Sequence, residues 1–93
     1  MQFEWDETKA QSNAIKHKVT FEEASTVWAD PCALIALDPE HSSVEEIREW
    51  IIGTSYTQKV LIVVYTVRNG KARIISARKA TRNERQQYEE ENY

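Results

Sequence analysis

Apolar residues change their spacing several times along this chain, and each change marks a boundary between elements. Phe3 and Trp5 alternate with Gln2 and Glu4, the period of a very short strand, and Asp6 then serves as N-cap for a helix over 7–18. On that helix Ala10, Ala14 and His17 share one weakly apolar face, as on a helix lying against a sheet. Thr20-Phe21-Glu22-Glu23 spells a capping box and opens a second helix over 21–29, with Phe21, Ala24, Val27 and Trp28 on a stronger apolar face. Asp30-Pro31 ends it, because the residue before a proline avoids the α region. The apolar run 32–37, bounded by Pro31 and Asp38-Pro39, predicts a strand. Residues 43–53 fit two periods: Ser43 with Glu46 imitates a capping box before Val44, Ile47 and Ile51, whereas Arg48, Trp50 and Ile52 alternate with Ile47, Glu49 and Ile51. A strand over 46–52 is the preferred reading, since the next two segments are strands in need of a neighbour, and a loop over 54–57 makes the connection.

Residues 59–67 are β-branched and aromatic, Asn69-Gly70 is a strong hairpin signal, and 71–77 returns as the partner strand. Strict alternation puts Arg73, Ile75 and Ala77 on one face and Ala72, Ile74, Ser76 and Arg78 on the other. Thr81-Arg82-Asn83-Glu84 is a third capping box and starts a helix running from Arg82 to about Glu91. The elements sum to an α+β domain over 1–93: two N-terminal helices, an antiparallel sheet of about four strands and a C-terminal helix.

Composition changes this picture little: 93 residues, 41% hydrophobic and 29% charged, describe one ordinary folded domain. The single cysteine, Cys32, excludes an internal disulfide and a cysteine-rich zinc site. The N-terminus lacks a secretory pattern and the longest apolar run, 60–65, falls far short of the roughly 20 residues of a membrane helix, so a soluble cytoplasmic protein is expected.

Charge changes it more. The net charge of −3 hides a separation: residues 59–85 hold eight Lys/Arg against one acid, residues 1–58 four against eleven, and 86–93 add three acids. Five cations, Arg73, Arg78, Lys79, Arg82 and Arg85, surround the predicted strand-to-helix junction. Helix starts favour acids, so Arg82 and Arg85 oppose local stability, whereas the open amides, the dipole and Arg78, Lys79 and Arg82 together favour a bound anion. The junction reads as a phosphate-handling site.

The chain also resembles a known family in Phe3-Glu4-Trp5-Asp6 with Lys9 and Asn13, Lys16-His17, Val19 through Ala24, Asp30-Pro31, and Asp38-Pro39 with His41-Ser42. The resemblance continues in Glu46 and Arg48, Val63-Val64 with Thr66, and Arg73-Ile74-Ile75-Ser76-Ala77-Arg78 followed by Ala80-Thr81, Glu84-Arg85 and Tyr88-Glu89. It is similar to the BrnT-type toxins of bacterial type II toxin–antitoxin modules. That resemblance implies a RelE-like fold, RNA cleavage that inhibits translation, and no cofactor. It also implies neutralisation by a cognate antitoxin of ribbon–helix–helix type, through which alone the protein meets DNA. Two positions depart from the family pattern: Lys79 replaces a common arginine and loses its planar fork, and Lys18 replaces a glycine suited to a left-handed helix end.

RNA cleavage without a metal needs a base for the 2′-hydroxyl, a cation for the phosphorane charge and an acid for the 5′-oxygen. Arg78, supported by Lys79 and Arg82, is the expected phosphorane stabiliser. His17 and His41 are the side chains that exchange protons near neutral pH, and either fits the acid or the base. Tyr88 is placed to stack a base or offer its hydroxyl, and Lys59, Arg68, Arg73 and Arg85 to steer RNA, with Trp5 the tryptophan best placed for stacking. Two histidines without further ligands at metal spacing argue against a metal site. The alternative is a non-catalytic RNA- or protein-binding partner in a transcription-regulating complex.

Overall fold

A computed structural model describes residues 1–92. In chain order they form β1 (Gln2–Glu4), α1 (Glu7–His17), α2 (Phe21–Ser25), β2 (Leu34–Leu37), β3 (Arg48–Thr54), β4 (Val60–Arg68), β5 (Lys71–Lys79) and α3 (Arg82–Glu91). The sheet has the order β1-β5-β4-β3-β2. Four strands are antiparallel, as expected; the fifth, β1, adds to the edge of β5 in parallel, with Phe3 beside Ala72. The ambiguous segment is a strand from Arg48, and the Ser43–Glu46 pattern closes a turn in which Ser43 Oγ accepts from the Glu46 amide at 3.1 Å.

Local chemistry sets the helix ends. Asp6 accepts from Lys9 N at 3.1 Å. Lys18 takes the left-handed conformation, φ 60°, and its N–H closes α1 on the Ala14 carbonyl. The departure from glycine thus costs α1 some stability without abolishing its terminus. Thr20 caps α2 by accepting from Glu23 N at 3.0 Å, but the second half of that predicted box is missing. The Glu23 carboxylate instead accepts from the Ser55 hydroxyl at 2.8 Å and from Thr57, pinning the β3–β4 turn. The second helix is also shorter than expected, since Thr26–Ala29 tightens into a 3₁₀ turn before Asp30.

The hairpin turns on Asn69 and Gly70, both with positive φ (51° and 76°), the pair a type I′ turn requires. Its register carries the main correction to the predicted faces. Val64 pairs with Ser76 but Tyr65 pairs with Ile74, so Ile75 is an extra residue. A bulge of this kind flips the alternation of everything beyond it. Ala72 and Ile74 before it, and Ala77 after it, therefore share one core with Leu61, Val63 and Tyr65 under α1 and α2. Arg73, Ser76 and Arg78 share the other face, where Ile52, Ile62 and Tyr88 form a smaller core beneath α3.

Trp5, the tryptophan expected to be best placed for stacking, is partly buried and packs edge-on against the buried Phe21 at 6.0 Å between centroids, at the margin of the core under α2.

Candidate active site

The face that carries Arg78 is incompletely covered, and an open groove of about 510 Å³ remains beside α3. Its floor is apolar, from Trp50, Ile52, Ile62 and Val64, and its polar walls include His17, Asp38, His41, Ser76, Arg78, Glu84 and Tyr88. Three separate parts of the chain deliver these side chains.

His17 arrives through Asn13. The strand β1 pairs only with the first residues of β5, leaving the Ala77 peptide edge open. The buried Asn13 amide fills in for the missing strand, accepting from Ala77 N at 3.1 Å and donating to Ala77 O at 2.8 Å. A third bond, to the Val19 carbonyl at 3.0 Å, fixes the turn after α1. The end of α1 is thereby clamped to the sheet edge, and His17 reaches the groove around it.

His41 arrives on the loop between β2 and β3. Its Nδ1 lies 2.8 Å from Oδ2 of Asp38, whose side chain is 12% exposed against 58% for the imidazole. The Ser42 hydroxyl staples the loop: it donates to the Asp38 carbonyl at 2.6 Å and accepts from Arg48 N at 2.9 Å.

Arg78 and Glu84 meet across the strand-to-helix junction. Nη1 and Nη2 donate to the two carboxylate oxygens at 2.7 and 2.9 Å, while Glu84 completes the capping box by accepting from Thr81 N at 2.8 Å. Arg78 and the Thr81 amide hold the Glu84 carboxyl down at about 2. The pair engages the end of the guanidinium through Nη1 and Nη2, so along the side edge Nε and the second hydrogen of Nη2 make no hydrogen bond among the described residues. That edge is a fork matched to two phosphate oxygens.

Tyr88 is not a free hydroxyl. It donates to Asp30 Oδ2 and lies 3.2 Å from Thr54 Oγ1, and burial followed by the Asp30 carboxylate pushes it up from its ordinary value. Burial acts against ionised Asp30, but its bonds from Tyr88, Thr54 N and Cys32 N outweigh this and hold it below the usual carboxylate range.

The remaining predicted site residues are dispersed. Lys79 is opposite Leu61, on the face covered by α1 and α2: neighbouring strand residues alternate, and the bulge decides which face each takes. With Lys59 it acts on Glu23, whose carboxyl burial raises but Thr57, Ser55 and these two cations hold low. Lys79, expected to support Arg78, does not line the groove that Arg78 lines. Arg68 pairs with Glu46 at 2.9 Å, Arg73 with Glu4 at 3.7 Å and Arg85 with Glu89 at 3.0 Å, all away from the groove. Arg82 is exposed in the first turn of α3. Among the described residues, no three His, Cys, Asp or Glu side chains gather as metal ligands.

Sequence reasoning missed Asp38, Glu84 and Asn13 as parts of this site. Asp38 carried a usable signal, standing three residues before His41 across a proline. Asn13 stands among the residues that carry the family resemblance, but its role was not readable locally, because its partner lies 64 residues away.

The family described as "Ribonuclease toxin, BrnT, of type II toxin-antitoxin system" matches residues 5–84. The chain belongs to the BrnT family. It is thus a ribonuclease toxin of a type II toxin–antitoxin system, a class that entails an RNA substrate and an antitoxin partner. In fold it is similar to the crystal structure of the Brucella abortus ribonuclease toxin BrnT, with 24% identity and a TM-score of 0.62 over 88% of this chain and 99% of that one. No curated protein sequence matches the chain. Among the described residues no helix is long and apolar enough to cross a membrane.

Proposed function

We propose that the groove beside α3 is the ribonuclease active site and that it works without a metal ion. The observation that carries this reading is that His17, His41 and Arg78 line one groove although they come from three distant parts of the chain. Metal-free cleavage uses the neighbouring 2′-oxygen as nucleophile. The 2′-O–P bond forms, the P–O5′ bond breaks, and the products are a 2′,3′-cyclic phosphate and a 5′-hydroxyl. Arg78 offers its open edge to the non-bridging oxygens, where charge grows in the transition state. The two histidines exchange the protons. In the cell, cleavage of RNA in the cytoplasm inhibits translation, and a cognate ribbon–helix–helix antitoxin neutralises the protein and links it to DNA.

Expression without antitoxin tests the reading. Wild type is expected to arrest growth and degrade RNA, and Arg78→Ala to lose about 10²–10³-fold in cleavage rate. The tight Arg78–Glu84 pair favours one other reading, a binding protein in which Arg78 only fastens α3. That reading predicts salt-sensitive RNA binding with no new RNA ends.

A further inference from the structure

We infer that Asp38 positions His41 as the general base of the groove and that His17 is its general acid, an assignment that rests on the ribonuclease reading above. An ionised carboxylate only accepts, so the 2.8 Å contact between Asp38 Oδ2 and His41 Nδ1 places the hydrogen on Nδ1. In a neutral imidazole the other nitrogen, Nε2, then carries the lone pair. The anchor is rigid, since the Asp38 side chain is nearly buried and the Ser42 hydroxyl ties its loop to Arg48. The imidazole itself stays largely exposed. A fixed tautomer with an open lone pair is what a base for the 2′-hydroxyl requires, and the carboxylate stabilises the imidazolium that follows.

The acid follows by exclusion among the groove's other titratable groups. Glu84 is ionised and clasped by Arg78. Arg78 keeps its protons. Tyr88 has committed its hydrogen to Asp30. Glu40 sits beside His41 on the base's own loop. His17 enters from α1, and among the described residues no hydrogen bond occupies either of its ring nitrogens. In the step, His41 Nε2 takes the 2′-hydroxyl proton as the 2′-O–P bond forms. The P–O5′ bond breaks and the 5′-oxygen takes a proton from the His17 imidazolium. Exchange with water then resets both rings.

The test uses the full chain, an ordinary RNA dinucleotide and the same dinucleotide with sulfur in place of the bridging 5′-oxygen, a leaving group that needs no acid. His17→Ala, His41→Ala and Asp38→Asn are each expected to lose about 10²–10⁴-fold in kcat on the oxygen substrate. Asp38→Asn keeps its KM. On the sulfur substrate His17→Ala recovers most of the loss, while His41→Ala and Asp38→Asn do not. Rescue of His41→Ala instead, or equal losses for all variants on both substrates, overturns the assignment. Long-range ¹H–¹⁵N spectra of the wild type test the Asp38 arm without any variant: hydrogen on His41 Nδ1 supports it, and hydrogen on Nε2 in the neutral ring overturns it. If wild type cleaves neither substrate, the ribonuclease reading falls and takes the assignment with it. If it cleaves without the rescue pattern, only the assignment falls.

Discussion

Glu84 acts twice with one carboxylate, capping α3 and holding the end of the Arg78 guanidinium, and the two roles predict separable losses. Glu84→Gln keeps a cap acceptor but loses the charge, so it is expected to cost about 1 kcal/mol by urea unfolding, a modest figure because Arg78 keeps solvent contact. The carboxyl is lowered from about 4.5 to about 2. A lowered folded value means that its contribution is complete above the unfolded value and disappears as the pH falls from about 4.5 through about 2. Wild type should therefore lose stability relative to Glu84→Gln across that window, and parallel pH curves for the two proteins would contradict the pairing. Lys18 gives the opposite sign. Its φ of 60° suits glycine, and Lys18→Gly should stabilise by about 0.5–1 kcal/mol, read as a rise in Tm of several degrees.

At the level of elements, the fold depends on substitutes for regular pairing. Asn13 stands in for a strand at Ala77, and Asn13→Leu leaves that buried peptide edge without partners. An expected loss of about 1–3 kcal/mol, with faster amide exchange at Ala77 than at the rest of β5, checks this. Elements with local signatures were legible in the sequence: the Asn69-Gly70 turn and the Thr81–Glu84 box formed as read. Elements decided at long range were not. Ile74 and Ile75 are chemically alike, so nothing in their order marks which is the bulge, yet that one residue decides that Arg78 and Lys79 lie on the faces they do. Glu23 likewise looked like half of a capping box because its real partners, Ser55 and Thr57, lie more than thirty residues away.

For the molecule as a whole, the separated charge gains a finer meaning. Most cations of the basic segment are paired or lie elsewhere, and Arg78 is the one Lys or Arg lining the groove among the described residues. RNA affinity should fall with salt, and Arg78→Ala should flatten the log–log dependence by roughly 0.7, the value for one phosphate contact on a single strand. Lys79→Ala, on the opposite face, should leave the slope nearer to wild type. The groove was only partly legible beforehand: its chemistry was visible as two histidines and a basic junction, but their meeting depends on the Asn13 clamp, the Ser42 staple and the bulge. The most direct test of the central claim is the chemistry of the RNA ends made by purified protein in excess chelator, identified by mass spectrometry. A 2′,3′-cyclic phosphate with a 5′-hydroxyl is predicted, whereas intact RNA, or a 3′-hydroxyl with a 5′-phosphate, would contradict it.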